Sequence, residues 1–389
     1  MRILAPSLFG ALTALGAAQA PPLPEDEATY YCNSAMMWDA PPPRQGDSGA
    51  QLTRVVVFGR HGSRAPVFTL PCWPGDETSY TCKTESSFGF VNSRFGGQSP
   101  SFKRIRDKRG VNLPSREFRC FWIVEYASDS PYQIPEEPEV MFRSTDVPRV
   151  YESAGALAWG MFPELSNDDP FDVMSIIVAD KRSDTMIPSA TVCPGLDDAL
   201  DEFYESSEAE ERAELRFSEC WVSHVCPTVP SSPKTVPPEF DEPLFKIIER
   251  EAVYWVNGRY STTRKLQRLA YGPFIEDLLE DLREPRRRLS VYLGHDLGPP
   301  NSVMDTLQLT WMDSGNRCAS SWPPFGALLI MEIYTDNQVR FVYNGRVASV
   351  EGIGECRGKA LCSYEAIVHH LTHIVPSESE CRGSRVTHE

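Results

Sequence analysis

The clearest signal in the hydrophobic pattern of this chain is a run without alternation. Residues 51–59, QLTRVVVFG, are β-branched and apolar and close on a glycine, as in a short strand buried on both faces of a parallel sheet. Val140, Met141 and Phe142 form a second apolar run. After it Val150, Ala154, Leu157 and Met161 recur at helical spacing, which predicts a strand-to-helix turn at 143–146 with Ser144, Thr145 or Asp146 available to cap the helix. Residues 171–179 read as another strand, and 197–217 as an acidic helix whose charge marks a solvated face. A proline-rich linker at 227–238 precedes a helical pattern at 240–258. Residues 289–294, LSVYLG, are a strand that ends directly on His295 and Asp296. Residues 327–334 and 339–345 follow as strands in hairpin-like succession, and 363–375 as a terminal helix. From 69 to 138 the pattern is irregular, with many glycines and prolines and a basic run at 103–110, and predicts loop or insertion.

The first twenty residues add a compartment to this picture. Arg2, an apolar run from Ile3 to Ala18 broken by Pro6, and the small-residue ending Ala18-Gln19-Ala20 have the form of a secretory signal, so the mature chain is expected to begin near Pro21. A proline-rich arm, residues 21–50, then leads into the first strand. No later stretch is long and apolar enough to predict a membrane span. The formal charge of −16 argues against nucleic acid as a partner. In a secreted chain the eleven cysteines read first as disulfides, and local pairs Cys72–Cys82 and Cys220–Cys226 are suggested by spacing. Zinc is disfavoured, because no Cys-x-x-Cys pair occurs.

Three clusters carry candidate chemistry, each just beyond a strand's carboxyl end, where open α/β sheets bind ligands. The first is Arg60-His61-Gly62-Ser63-Arg64-Ala65-Pro66. Its five fixed positions, R-H-G-x-R-x-P, would arise by accident on the order of once in ten thousand such chains. A phosphoryl group in transfer spreads charge over three equatorial oxygens, and Arg60 and Arg64 can fork onto them while a neutral His61 attacks phosphorus. Gly62 permits close backbone approach. The bland alternative is a basic surface turn. The second cluster is Arg143-Ser144-Thr145-Asp146, where Arg143 is a third phosphate ligand or the segment is simply a capped helix N-terminus. The third is Gly294-His295-Asp296. A carboxylate in so cationic a pocket has a use if it handles a proton, which makes Asp296 the candidate general acid and His295 a further phosphate donor, against the alternative of an ordinary structural pair.

At these residues the chain resembles the histidine acid phosphatases, the secreted and lysosomal branch of the histidine phosphatase superfamily. RHGSRAP, RSTDVPRVYESAGALAWGMFP and GHD are similar to that family's phosphate-binding and acid motifs, and WPPFGALLIMEIY, VRFVYNG and ECRGKALCSYEAIVHHLTHIVP to its closing strands, cysteine loop and last helix. The likeness covers residues 51–66, 140–163 and 289–381. It implies His61 as the phosphorylated nucleophile, Arg60, Arg64, Arg143 and His295 as the phosphate pocket, Asp296 as proton donor, and no metal or organic cofactor. The implied fold is a three-layer α/β/α core with a mainly parallel sheet and a predominantly helical cap. Core segments would be 51–70, 140–190 and 285–381, with cap or insertions at about 71–139 and 193–284, all within a domain at 51–389. The resemblance also suggests disulfides Cys356–Cys362 and Cys193–Cys381. The chain departs from it at Leu297-Gly298-Pro299-Pro300, where a small polar residue usually follows the aspartate, and in lacking the Leu-Thr-x-x-Gly helix signal between His61 and Arg143.

The expected reaction is hydrolysis of a small phosphate monoester in two steps through a phosphohistidine, in the secreted or lysosomal and vacuolar space. The departure after Asp296 keeps open a phosphate-binding protein without turnover. A disulfide-rich structural or adhesion module fits the cysteines but leaves the three clusters unexplained.

Overall fold

The computed structural model describes residues 49–62, 102–106, 139–161, 174–179, 182–206, 242–320 and 322–383. The first apolar run forms strand β1 (Leu52–Arg60), whose residues from Arg54 onward are all buried. Strand β2 (Phe102–Arg106) follows, then β3 (Val140–Ser144) and helix α1 (Pro148–Met161). Strand β4 (Met174–Val178) and helix α2 (Gly195–Tyr204) come next. Helix α3 (Glu242–Val253) runs through a π turn at Tyr254–Gly258 into a last turn at Arg259–Ser261, and α4 (Arg264–Leu282) is the longest helix described. Strand β5 (Leu289–Gly294), helix α5 (Pro299–Leu307) and strands β6 (Leu309–Trp311), β7 (Leu328–Tyr334), β8 (Gln338–Tyr343), β9 (Arg346–Val350) and β10 (Cys362–Ser363) lead to α6 (Tyr364–Thr372) and α7 (Glu378–Arg382).

One mixed sheet joins the strands in the order β2-β4-β3-β5-β1-β7-β8-β9-β6, with β10 pairing β8. The five strands from β2 to β1 are parallel, and the sheet continues antiparallel from β7 outward. Successive side chains of the central strands enter different cores, as the two-residue period requires. Val55, Val57, Val291 and Leu293 meet Val150, Ala154, Leu157 and Met161 of α1 on one face. Val56, Phe58 and Tyr292 meet α4, α5 and α6 on the other. This is the expected α/β architecture with helices on both faces. Phe58, Phe274 of α4 and Tyr292 tie the second face together: Phe58 stacks on Tyr292 at 5.8 Å, and Phe274 meets both edge-on.

Two of the elements absent from the sequence reading, β2 and α4, show why they escape it. Residues 102–106 lie in the stretch read as loop, yet they pair in parallel with β4 at the sheet's edge. Three of the five residues, Lys103, Arg104 and Arg106, are basic, and charge on an edge strand discourages further pairing. Helix α4 has no clean apolar stripe because it is buried around most of its circumference, with Leu269, Phe274, Ile275 and Leu278 inside. Thr263 caps it, its hydroxyl accepting from the Leu266 N–H at 3.1 Å.

The disulfides Cys193–Cys381 and Cys356–Cys362 are both present. Cys318 is a buried free thiol among the described residues. Cys72–Cys82, Cys220–Cys226, residues 1–48 and most of the acidic helix expected at 197–217 lie outside the described residues. Among the described residues no helix is long and apolar enough to cross a membrane.

Candidate active site

Strand register assembles the site. β3, β5 and β1 are neighbours in one parallel set, and Arg60 of β1 stands opposite Gly294 of β5. The His61 N–H then donates to the Gly294 carbonyl at 3.0 Å, and the Thr145 N–H, beyond β3, donates to the Leu293 carbonyl at 3.2 Å. Three segments far apart in sequence thus end side by side, with His61, Thr145 and His295 at one rim of the sheet. A side chain on Gly294 would run into the Pro299 ring, its Cβ 2.7 Å from Cδ, so glycine lets α5 start directly behind the site.

His61 is 1% exposed. Its Nδ1 lies 2.6 Å from the Gly62 carbonyl oxygen, and a carbonyl can only accept, so Nδ1 carries the proton. Nε2 therefore holds the lone pair, and Arg149 Nε donates to it at 3.2 Å. The second guanidinium arm, Nη2, lies 3.3 Å from His295 Nδ1. An arginine can only donate, so His295 is protonated on Nε2, and that nitrogen lies 3.3 Å from Thr145 Oγ1. The two imidazoles stand edge to face, 5.3 Å between centroids, with the Arg149 fork across both.

Arg60 and Asp296 form the second half of the site. Arg60 Nη2 lies 3.1 Å from Asp296 Oδ2, and Nη1 donates to the Pro323 carbonyl at 2.5 Å. Phe325 packs beneath both functional groups, 4.2 Å from the Arg60 guanidinium carbon and 5.8 Å from the His61 ring centroid. The Gly326 N–H also donates to the His61 carbonyl. The 323–326 turn, which the sequence reading grouped with the closing strands and gave no role in the site, is thus the floor of the site.

Arg143 is held by side chains of α4 and of residues 184–185. Phe142 points into the core beneath α1, so Arg143, the next residue of β3, points to the opposite face beneath α4. There Nη1 donates to Asp277 Oδ2 at 2.6 Å and Nη2 to Thr185 Oγ1 at 2.7 Å, with Asp184 at 3.8 Å. Burial pulls the Arg143 pKa down, but the two aspartates outweigh it and hold it above the usual value. Burial pushes Asp184 up to about 6 against the attraction of Arg143. The guanidinium standing against His61 is that of Arg149, six residues further on in the first turn of α1. A sequence signal for it existed: a cation in a helix's first turn opposes the helix dipole and asks for a reason. Ser144 and Thr145 do not spend their hydroxyls on the helix, since Ser144 donates to the Thr145 carbonyl and Thr145 faces His295. Arg64 lies outside the described residues, and among those described there is no cluster of three or more side chains able to hold a metal ion.

The site therefore presents one imidazole nitrogen whose lone pair accepts from a guanidinium fork, a second imidazole beside it, and an arginine-held carboxylate within the same strand-end cluster. Such a set suits transfer of an anionic group to nitrogen.

No protein-family model matches the chain. It is 20% identical over 420 residues to counting factor 60 of Dictyostelium discoideum, covering 92% of this chain and 94% of that protein. It is 30% identical over 179 residues to the testicular acid phosphatase of Homo sapiens, covering 44% of this chain and 37% of that one. Similar solved structures include the phytase from D. castellii, at TM-score 0.49 and 17% identity, covering 97% of this chain and 89% of that one. The phytase from Citrobacter braakii has TM-score 0.47 and 12% identity, covering 86% of this chain and all of that one.

Proposed function

We propose that this protein hydrolyses small phosphate monoesters through a phosphohistidine on His61. The observation that carries the reading is the fixed tautomer of His61, with Nδ1–H given to a carbonyl and the Nε2 lone pair facing the Arg149 guanidinium. The partial match to an acid phosphatase agrees with it.

In the proposed reaction the phosphoryl oxygens take the place of His61 and His295 as acceptors for the Arg149 fork, and Arg60 and Arg64 bind from the other side. Nε2 of His61 attacks phosphorus as the ester P–O bond breaks. Asp296 gives its proton to the departing oxygen. Water then attacks the phosphohistidine as its proton passes to the Asp296 carboxylate, breaking the N–P bond, giving inorganic phosphate and restoring both the imidazole and the acid. Phosphate competes with Asp296 for Arg60 Nη2, so substrate binding itself frees the carboxyl group for the leaving oxygen.

The same Arg60–Asp296 contact favours a second reading, a phosphate-binding protein without turnover, in which the acid stays locked on the arginine. Purified protein, an aryl phosphate with a coloured phenol, and a metal chelator separate the two. The first reading expects chelator-insensitive turnover that falls by roughly a thousandfold or more in His61→Ala, and label from a labelled phosphoryl group on residue 61 after an acid-free quench. Binding of phosphate without product would establish the second reading. Turnover that survives His61→Ala would refute both roles for this imidazole.

A further inference from the structure

His61 is held by its backbone as well as by its ring. Its N–H donates to the Gly294 carbonyl of β5 at 3.0 Å, and its own carbonyl accepts from the Gly326 N–H at 3.0 Å. The next amide along the chain, the Gly62 N–H, donates to Ser153 Oγ of α1 at 3.1 Å. The first two anchors are backbone groups that a side-chain substitution leaves in place, whereas the third is one hydroxyl. Gly62 is also the residue whose carbonyl takes the His61 Nδ1 proton at 2.6 Å, and glycine torsions are the least restricted of any residue. What fixes the Gly62 amide therefore bears on the tautomer of His61.

Ser153 uses its hydroxyl in both directions. As acceptor it meets Gly62, and as donor it gives its proton to the Arg149 carbonyl, one turn earlier in α1, at 2.6 Å. Arg149 in turn donates from Nε to His61 Nε2 at 3.2 Å. Four hydrogen bonds thus close a circuit through His61, Gly62, Ser153 and Arg149. Within it, the partners of both nitrogens of one imidazole are tied together by a single oxygen. We infer that Ser153 is a positioning residue, an inference that rests on the reading of His61 as the nucleophile. Its hydroxyl registers the turn of α1 that carries Arg149 against the peptide that follows His61, and so keeps the Nε2 lone pair and the guanidinium aimed at the same point. In-line attack tolerates little misplacement, since an error of about 1 Å can cost about a hundredfold in rate.

The test is Ser153→Ala in the full chain. Alanine is the better helix former and the position is only half-buried, so the variant should unfold in urea near the wild-type midpoint. The first readout is nuclear magnetic resonance of the ring nitrogens, with the histidines labelled with the heavy nitrogen isotope and His61 assigned by the signals lost in His61→Ala. In mildly alkaline buffer, where imidazoles are neutral, the wild type should show a ring protonated on Nδ1 alone. Ser153→Ala should bring the two nitrogen signals toward each other as the ring averages between tautomers. The second readout is aryl phosphate kinetics, in which kcat should fall by about ten- to a hundredfold while KM changes by less than about threefold, because the aim of the ring matters most in the transition state. Ring nitrogens that keep their wild-type signals in Ser153→Ala overturn the inference whatever the rate does, and so does an unchanged kcat. A wild type that turns nothing over would instead defeat the phosphatase reading, and the ring nitrogens alone would then decide whether Ser153 positions His61.

Discussion

Replacing Arg149 and Arg143 separately distinguishes the two arginines that the chain places six residues apart. Arg149 spans His61 Nε2 at 3.2 Å and His295 Nδ1 at 3.3 Å. Hydrogen bonds from a charged donor contribute about 1.5–3 kcal/mol each. If both arms turn to phosphoryl oxygens in the transition state, Arg149→Met removes about 3–6 kcal/mol of stabilisation, a loss of roughly 10²–10⁴ in kcat/KM. Arg149→Lys keeps the charge but reaches one partner, and should fall about 10–100-fold below wild type. Arg149 is half-buried and both variants should unfold near the wild-type midpoint. Arg143→Met has the opposite signature. It leaves Asp277 and Asp184 without the guanidinium that faces them at 2.6 and 3.8 Å, and removing one partner of a buried pair costs about 3–5 kcal/mol of stability. Aryl phosphate kinetics and urea unfolding on the three variants decide the matter. Arg149→Met within threefold of wild type in kcat/KM, or Arg143→Met with full stability and lost turnover, would refute the assignment.

Other consequences are as direct. Phe325→Leu keeps the position apolar while removing part of the ring's volume, so in urea unfolding it should cost less than the about 3–5 kcal/mol of a phenylalanine-to-alanine truncation. It removes the ring under Arg60, worth about 0.5–2 kcal/mol of cation–π attraction, and so should raise KM for the aryl phosphate several-fold; an unchanged KM would exclude Phe325 as a positioning residue for Arg60. Asp305, with a folded pKa of about 6 against 3.8 for the free group, binds a proton in the native state that the unfolded state has already lost between about pH 4 and 6. Stability therefore falls as pH rises through that window, by up to about 3 kcal/mol from this group, and Asp305→Asn should be relatively more stable at pH 7 than at pH 5; urea midpoints that move in parallel for both proteins would rule this out. Cys193–Cys381 closes a loop of 188 residues between the start of α2 and α7. Replacing both by serine should cost about 2–5 kcal/mol, and the wild type should lose a similar amount under reductant.

Local pattern made much of the frame legible. Runs of β-branched and apolar residues at 51–59 and 289–294 announced β1 and β5 because strands buried on both faces need no polar alternation. The His61 and His295-Asp296 clusters were visible because they stand directly where those runs stop. Strand β9 was within reach and was missed: Asn344 and Gly345 both have positive φ and form the two-residue turn that joins it to β8, and Asn-Gly is a strong hairpin signal. Helix α4 was harder, since a helix buried around most of its circumference shows no stripe to recognise.

What the chain could specify by itself was therefore local: where strands stop, which residues stand at those ends, and that a helix follows β3. Only the tertiary structure set β3, β5 and β1 side by side, for no local rhythm encodes which parallel strands become neighbours. It also sent Arg143 beneath α4 and Arg149 onto His61. A strand's two-residue alternation fixes that neighbouring side chains part ways, but which face holds the waiting aspartates depends on the packing of helices from elsewhere in the sequence.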